Sequence, residues 1–227
     1  MTEGITASAT TRPVAGHDTT RRATRELLVT GLIAGPLWVG VAALQALLRP
    51  GFDLGRHALS ALSVGDAGWV QIGNFVVGGL LTIAFAVGVR AALRGGRAGT
   101  WGPRLIGAFG VGLIVAGIFP PDPALGFPPG APAGMPAAYS SSAIAHSIGF
   151  IGAFSSLVAA TLVFSRRFAA IGERGWVAYS LASGLGALVL SGWPSTDGAS
   201  VRYAIAAVIA WAWVTLLAVR LRGEQRA

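Results

Sequence analysis

Cysteine and lysine are absent from this 227-residue chain, and acidic residues number only nine. Without cysteine there is no disulfide, no thiolate nucleophile and no Cys-ligated metal, so the loops must be held by packing and by prolines. All charged residues together make up 11% of the chain, against 53% hydrophobic residues, a balance that excludes an ordinary soluble globular domain. No P-loop glycine-lysine pattern, dinucleotide fingerprint, His-Glu-x-x-His helix or internal repeat is present, which removes nucleotide-driven chemistry and zincin-type proteolysis.

What is present is a series of apolar runs near the roughly 20 residues that cross a hydrocarbon core. The spans are Leu27 to Leu48, Val70 to Leu93, Pro103 to Phe119, Ile144 to Phe164, Trp176 to Gly192 and Tyr203 to Leu221. The chain is therefore predicted to be an all-α, polytopic membrane protein, a compact bundle of six transmembrane helices. Residues 1–26 are Thr-rich, polar and aperiodic, and read as a disordered cytoplasmic tail; His17 lies there and is assigned no role. The transmembrane domain then covers 27–222, with a short cytoplasmic C-terminal tail at 223–227.

Fourteen of the 17 arginines fall before the first span, in the alternate gaps or at the span ends beside them, or at and after the end of the last span, while the other gaps hold only Arg49, Arg56 and Arg202. Short basic loops stay cytoplasmic, so both termini are predicted to be cytoplasmic in a multi-pass protein of a plasma membrane. Dividing the charge by side leaves 14 arginines against five acids inside and three against four outside, so the net charge of +8 is topological and implies no nucleic-acid partner. The partner implied is the lipid bilayer; no pattern specifies an oligomeric state.

Within the spans, glycines such as Gly31, Gly35, Gly78, Gly79, Gly110, Gly112, Gly184 and Gly186 favour close helix packing. The seven tryptophans fall mostly toward span ends and are read as interfacial anchors. No ionisable residue sits at mid-depth, which argues against a charge-coupled pump.

The outward side is more polar. Asp53, Arg56, His57, Ser60, Ser63 and Asp66 occupy the first outward loop, and Gln71 and Asn74 open the second span. Asp122 follows the third span, His146 lies about one turn inside the fourth, and Asp197 and Arg202 occupy the last outward loop. Converging, His57, Asp122 and His146 would make a two-His, one-carboxylate metal site, for which zinc is the candidate cofactor, or an acid-base pair serving Ser60 or Ser63 as nucleophile. Each also has a structural reading, as loop cap, chain turn or interfacial hydrogen-bonder. The loop from Pro120 to Pro136 holds seven prolines and three glycines, which suits either a lid or a constrained linker.

Several motifs in order carry a family resemblance. They are Arg56-His57-Ala58-Leu59-Ser60-Ala61-Leu62-Ser63, Gly68-Trp69-Val70-Gln71-Ile72-Gly73-Asn74-Phe75, Gly117-Ile118-Phe119-Pro120-Pro121-Asp122-Pro123 with Gly126-Phe127-Pro128-Pro129-Gly130, and finally His146. Over Leu27 to Leu221 the chain resembles the prokaryotic membrane family known as domain of unknown function 998. The resemblance implies a six-span membrane domain without an assigned activity, and recurrent polar positions at His57, Ser60, Asn74, Asp122 and His146. Relatives carry a further histidine one turn before the later one, where this chain has Ser142, which removes the third ligand of a three-histidine metal site.

Two functions follow as expectations. The first is binding of a lipid or small amphiphile at an outward-facing polar pocket, with His57, Asp122, His146, Ser60, Ser63 and Asn74 as the contacting set. The alternative is a metal-dependent intramembrane hydrolase or transferase acting on a lipid, similar in its site to alkaline ceramidases and progestin-receptor-type membrane hydrolases.

Overall fold

The computed structural model describes residues 15–93, 95 and 98–225. These form six α-helices, α1 (Ala15–Leu48), α2 (Gly68–Ala92), α3 (Trp101–Ile118), α4 (Ser141–Ala170), α5 (Arg174–Gly192) and α6 (Ala199–Glu224), with one short 3-10 helix at Leu59–Ser63. No strand is formed among the described residues, apart from an isolated bridge between Ala124 and Phe127. All six helices are long and apolar enough to cross a membrane, so the chain is a multi-pass membrane protein.

The 34 residues of α1 extend to about 50 Å, well beyond a hydrocarbon core of about 30 Å. Its first turns belong to the stretch read from sequence as a disordered tail: residues 15–26 are helical, while residues 1–14 lie outside the described ones. The helix reaches back past the apolar run, with Arg22 and Glu26 paired one turn apart at 2.9 Å and the Thr24 hydroxyl donating to the Thr20 carbonyl. At the other extreme α3 has 18 residues, about 27 Å, and ends at Pro120-Pro121, where the ring blocks further helix.

The helices close into a ring in chain order. Each packs on its sequence neighbours, and α1 packs on α6. Glycine sets the tightest seams: a Cβ at Gly79 would stand 2.6 Å from the Gly110 carbonyl oxygen, and one at Gly112 would stand 2.7 Å from that of Gly149. Helix backbones thus touch along α2–α3 and α3–α4, as expected of small residues in lipid. The 3-10 helix lies across the end of the bundle against α1, α2 and α6.

Three tryptophans depart from the anchoring role. Trp38, Trp211 and Trp213 are buried in the core, with Trp213 donating from Nε1 to Ser180 Oγ at 3.2 Å. Trp69, Trp101 and Trp193, at helix ends, are exposed as anchors should be.

The first turns of α1 and the end of α6 meet at one end of the ring, where Arg25 donates to the Gln225 carbonyl at 2.6 Å. Arg167 pairs there with Glu224 at 2.6 Å, Glu224 with Arg220, and Arg220 with Glu173, which ties α4, the loop before α5, and α6 together. The hydrogen bonds from Arg220 hold the Glu173 carboxyl below its ordinary pKa. Arg12, Arg94, Arg97 and Arg226, counted on this side from sequence, lie outside the described residues.

Candidate functional site

At the end of the ring opposite the arginines, the helices enclose a cavity of about 420 Å³. All six contribute to its wall, and Ala58, Leu59 and Ser60 of the α1–α2 loop form its roof. The volume lies within the range of small-molecule sites. Its lining is chiefly aromatic and aliphatic: Phe75, Phe109, Phe150, Phe154, Leu113 and Trp211 surround it. Phe150 packs at a tilt against Phe154, with ring centroids 4.6 Å apart, and against Tyr203 at 5.5 Å, joining α4 to α6 beside this space. Ser147 and Ile151 on the rim are exposed.

His146 projects into this wall from the second turn of α4. Its Nδ1 faces the carbonyl oxygens of Ala116, at 2.7 Å, and Phe119, at 3.1 Å, so that nitrogen carries the proton. Those oxygens belong to the last turn of α3, whose carbonyls have no helical partner; the imidazole caps them. In the neutral ring a lone pair then remains on Nε2, which has no protein partner among the described residues. Ser60 and Tyr203 also line the cavity, and neither hydroxyl has a partner among the described hydrogen bonds. The hydroxyls of Ser147 and Ser191 are committed to their own helices through Ala143 and Ala187.

The convergence of His57, Asp122 and His146 expected from sequence is not formed. His57 Nδ1 accepts from the Asp53 amide at 2.9 Å, and Nε2 donates to the Leu125 carbonyl at 3.1 Å. Both nitrogens are spent on loop backbone, and the ring packs at a tilt against Phe52 and Phe127 at 5.6 and 5.3 Å. Asp122 accepts from the Ser140 amide at 2.9 Å at the start of α4, and the Ser140 hydroxyl, together with that amide, holds its carboxyl below the ordinary value. Among the described residues, no group of three or more His, Asp or Glu side chains is arranged to hold a metal ion. Neither Ser60 nor Ser63 is hydrogen-bonded to a histidine, so a nucleophile–base pair is not assembled either.

Ser63 and Asn74 stand behind the cavity rather than in it. Ser63 is buried in the 3-10 helix, and its hydroxyl has no partner among the described residues. Asn74 donates to the Trp38 carbonyl at 3.0 Å and to Gln71 Oε1 at 3.2 Å, and Gln45 donates to the same oxygen at 2.7 Å. This amide cluster locks α1 to α2 beside Trp38, itself part of the cavity wall.

The proline-rich loop is an ordered strap rather than a free linker. Phe127, 1% exposed, fits between Phe52, His57 and Arg49, whose guanidinium lies 5.4 Å from its ring centre. The same arginine donates to the carbonyls of Leu62 at 3.1 Å and Val64 at 2.7 Å, fixing the 3-10 helix. Within the loop, Leu125 donates to Gly134 and Gly126 to Pro132, at 3.1 and 2.8 Å. The strap therefore clamps the α1–α2 loop, which in turn roofs the cavity. Sequence reasoning missed Arg49, Phe127, Phe150 and Tyr203; the signals were an outward arginine in a basic-poor loop and a lone aromatic between prolines.

No curated protein and no solved structure matches the chain. The family model for the proteins of unknown function DUF998 matches residues 32–220, and it places every residue of the cavity within the matched region, so the chain belongs to that family.

Proposed function

We propose that the protein is a plasma-membrane protein of a prokaryotic cell, with its arginine-rich end in the cytoplasm, that binds a lipid or small amphiphile in the outward-facing cavity. The arginine asymmetry supports the orientation, since basic loops resist translocation. The observation that carries the binding reading is the cavity itself: an apolar chamber within the ring whose wall includes an uncommitted imidazole nitrogen, His146 Nε2. An aliphatic chain would replace empty contacts with dispersion contacts along Phe109, Phe150 and Trp211, while its polar end meets the few polar groups. Of the six residues expected in the site, His146 and Ser60 would touch such a ligand. His57, Asp122 and Asn74 would act at a distance, by holding the loops and helices that shape the chamber, while Ser63, buried in the 3-10 helix, would not touch the ligand.

The test is a comparison of the wild-type protein with Ala207→Phe, which adds a ring at a half-buried position of the cavity wall on α6. Both are extracted directly into nanodiscs and analysed by native mass spectrometry. A bound lipid-derived mass retained by wild type and lost from a folded Ala207→Phe supports the reading. The same mass at the same occupancy in both proteins, or none in wild type, contradicts it.

A further inference from the structure

We infer that the cavity selects an uncharged, hydroxyl-headed amphiphile, a long-chain alcohol in chemical class, over a carboxylate or phosphate; this rests on the binding reading above. No Asp, Glu or Arg lines the chamber. On the same side of the ring Arg49 is engaged by Leu62, Val64 and Phe127, and Arg202 by the carbonyls of Ser195 and Asp197. Arg56 is exposed on the first outward loop, outside the lining. A phosphate or carboxylate drawn into this wall would lose its water without gaining a fixed counter-charge, which strongly disfavours it.

The polar atoms that remain are neutral and of two kinds. His146 Nε2 is an acceptor, because Nδ1 holds the proton against Ala116 and Phe119. Ser60 and Tyr203 bring hydroxyls able to donate, and Trp38, another lining residue, carries a buried indole N–H without a partner among the described residues. A ligand hydroxyl matches this set, since it donates to Nε2 and accepts from a serine or tyrosine hydroxyl. A ketone or ester oxygen only accepts and would leave Nε2 unmet. A quaternary ammonium offers no proton to Nε2.

The experiment measures saturable binding of radiolabelled dodecanol, dodecanoate and dodecyl phosphate to the full chain in nanodiscs of a zwitterionic phospholipid, with protein-free discs as the partition blank. Dodecanol should bind at least about tenfold more tightly than either anion, and His146→Ala should weaken it by about tenfold, the scale of one buried hydrogen bond. His146 also caps α3, so the double variant Ser60→Ala, Tyr203→Phe carries the same test without touching that cap; it too should weaken dodecanol by about tenfold. Dodecanoate or dodecyl phosphate binding as well as dodecanol would overturn the neutral-head inference and leave amphiphile binding intact. Unchanged dodecanol affinity in the folded variants would also overturn it. No saturable binding of any of the three would overturn both the inference and the reading beneath it.

Discussion

Replacing Gly112 by alanine should split the site at its seam. A Cβ there would lie 2.7 Å from the Gly149 carbonyl oxygen and 2.8 Å from both the Ala153 amide nitrogen and its Cβ. Ordinary contact begins near 3.4 Å, so α3 and α4 must part by about 0.7 Å, and the obstructing atoms are backbone and a Cβ, which cannot swing aside. Overpacking of this kind costs about 1–3 kcal/mol, more than the gain of up to about 1 kcal/mol from the better helix propensity of alanine. The same displacement stretches the bond from His146 Nδ1 to the Ala116 carbonyl, because those two residues face each other across that seam. Gly107 on the same helix is the control: its Cβ would meet only the Ala86 methyl, at 3.8 Å. Reversible unfolding in mixed micelles should therefore show Gly112→Ala destabilised by up to about 2 kcal/mol net and Gly107→Ala unchanged or slightly stabilised. Equal effects at the two positions would refute the claim that α3 and α4 touch through their backbones.

Three further outcomes follow from the loops and the charge pattern. His57→Ala removes both loop hydrogen bonds and the packing on Phe127, at a cost of about 1–3 kcal/mol, so amide exchange should quicken across residues 124–134; unchanged protection would show that the strap holds itself. The Ser140 hydroxyl and, after it, the Ser140 amide lower the Asp122 pKa below 3.8, so the contribution of this contact is fully present above about pH 3.8 and is lost as pH falls through the lower folded value. Exchange at Ser140 should accelerate across that acid limb in wild type and show no such step in Asp122→Asn. A topology reporter placed after Glu224 or at Gly95 should read cytoplasmic and one at Gly130 external, and an external C-terminus would overturn the orientation.

The membrane spans were legible because solvent dictates them: each needs an uninterrupted apolar run, and the arginines mark alternate gaps. The start of α1 was not, since residues 15–26 extend a helix already nucleated in the span and need no apolar face of their own. Burial of Trp38, Trp211 and Trp213 was hidden for a related reason. In lipid both faces of a helix are apolar, so hydrophobic pattern does not separate core from lipid-facing positions. At the site, His146 and Ser60 were found as polar residues on the outward side. The roles of His57 and Asp122 escaped because their partners, Leu125 and Ser140, contribute backbone groups. Which carbonyl or amide a loop presents is fixed by its fold, not by residue type. The ring closure of α1 on α6, which creates the chamber, is likewise a long-range contact without a local signature.

Occupancy of the chamber tests the account most directly. A long-chain alcohol bearing a photoactivatable diazirine near its tail, irradiated in nanodiscs with the full chain and mapped by peptide sequencing, should label Phe150, Phe154, Ala207 or Trp211, and excess dodecanol should suppress that labelling. Labelling spread over the exposed leucines of α5, such as Leu181, Leu185 and Leu188, and insensitive to dodecanol, would mean that the chain only touches lipid from outside and that the cavity binds nothing.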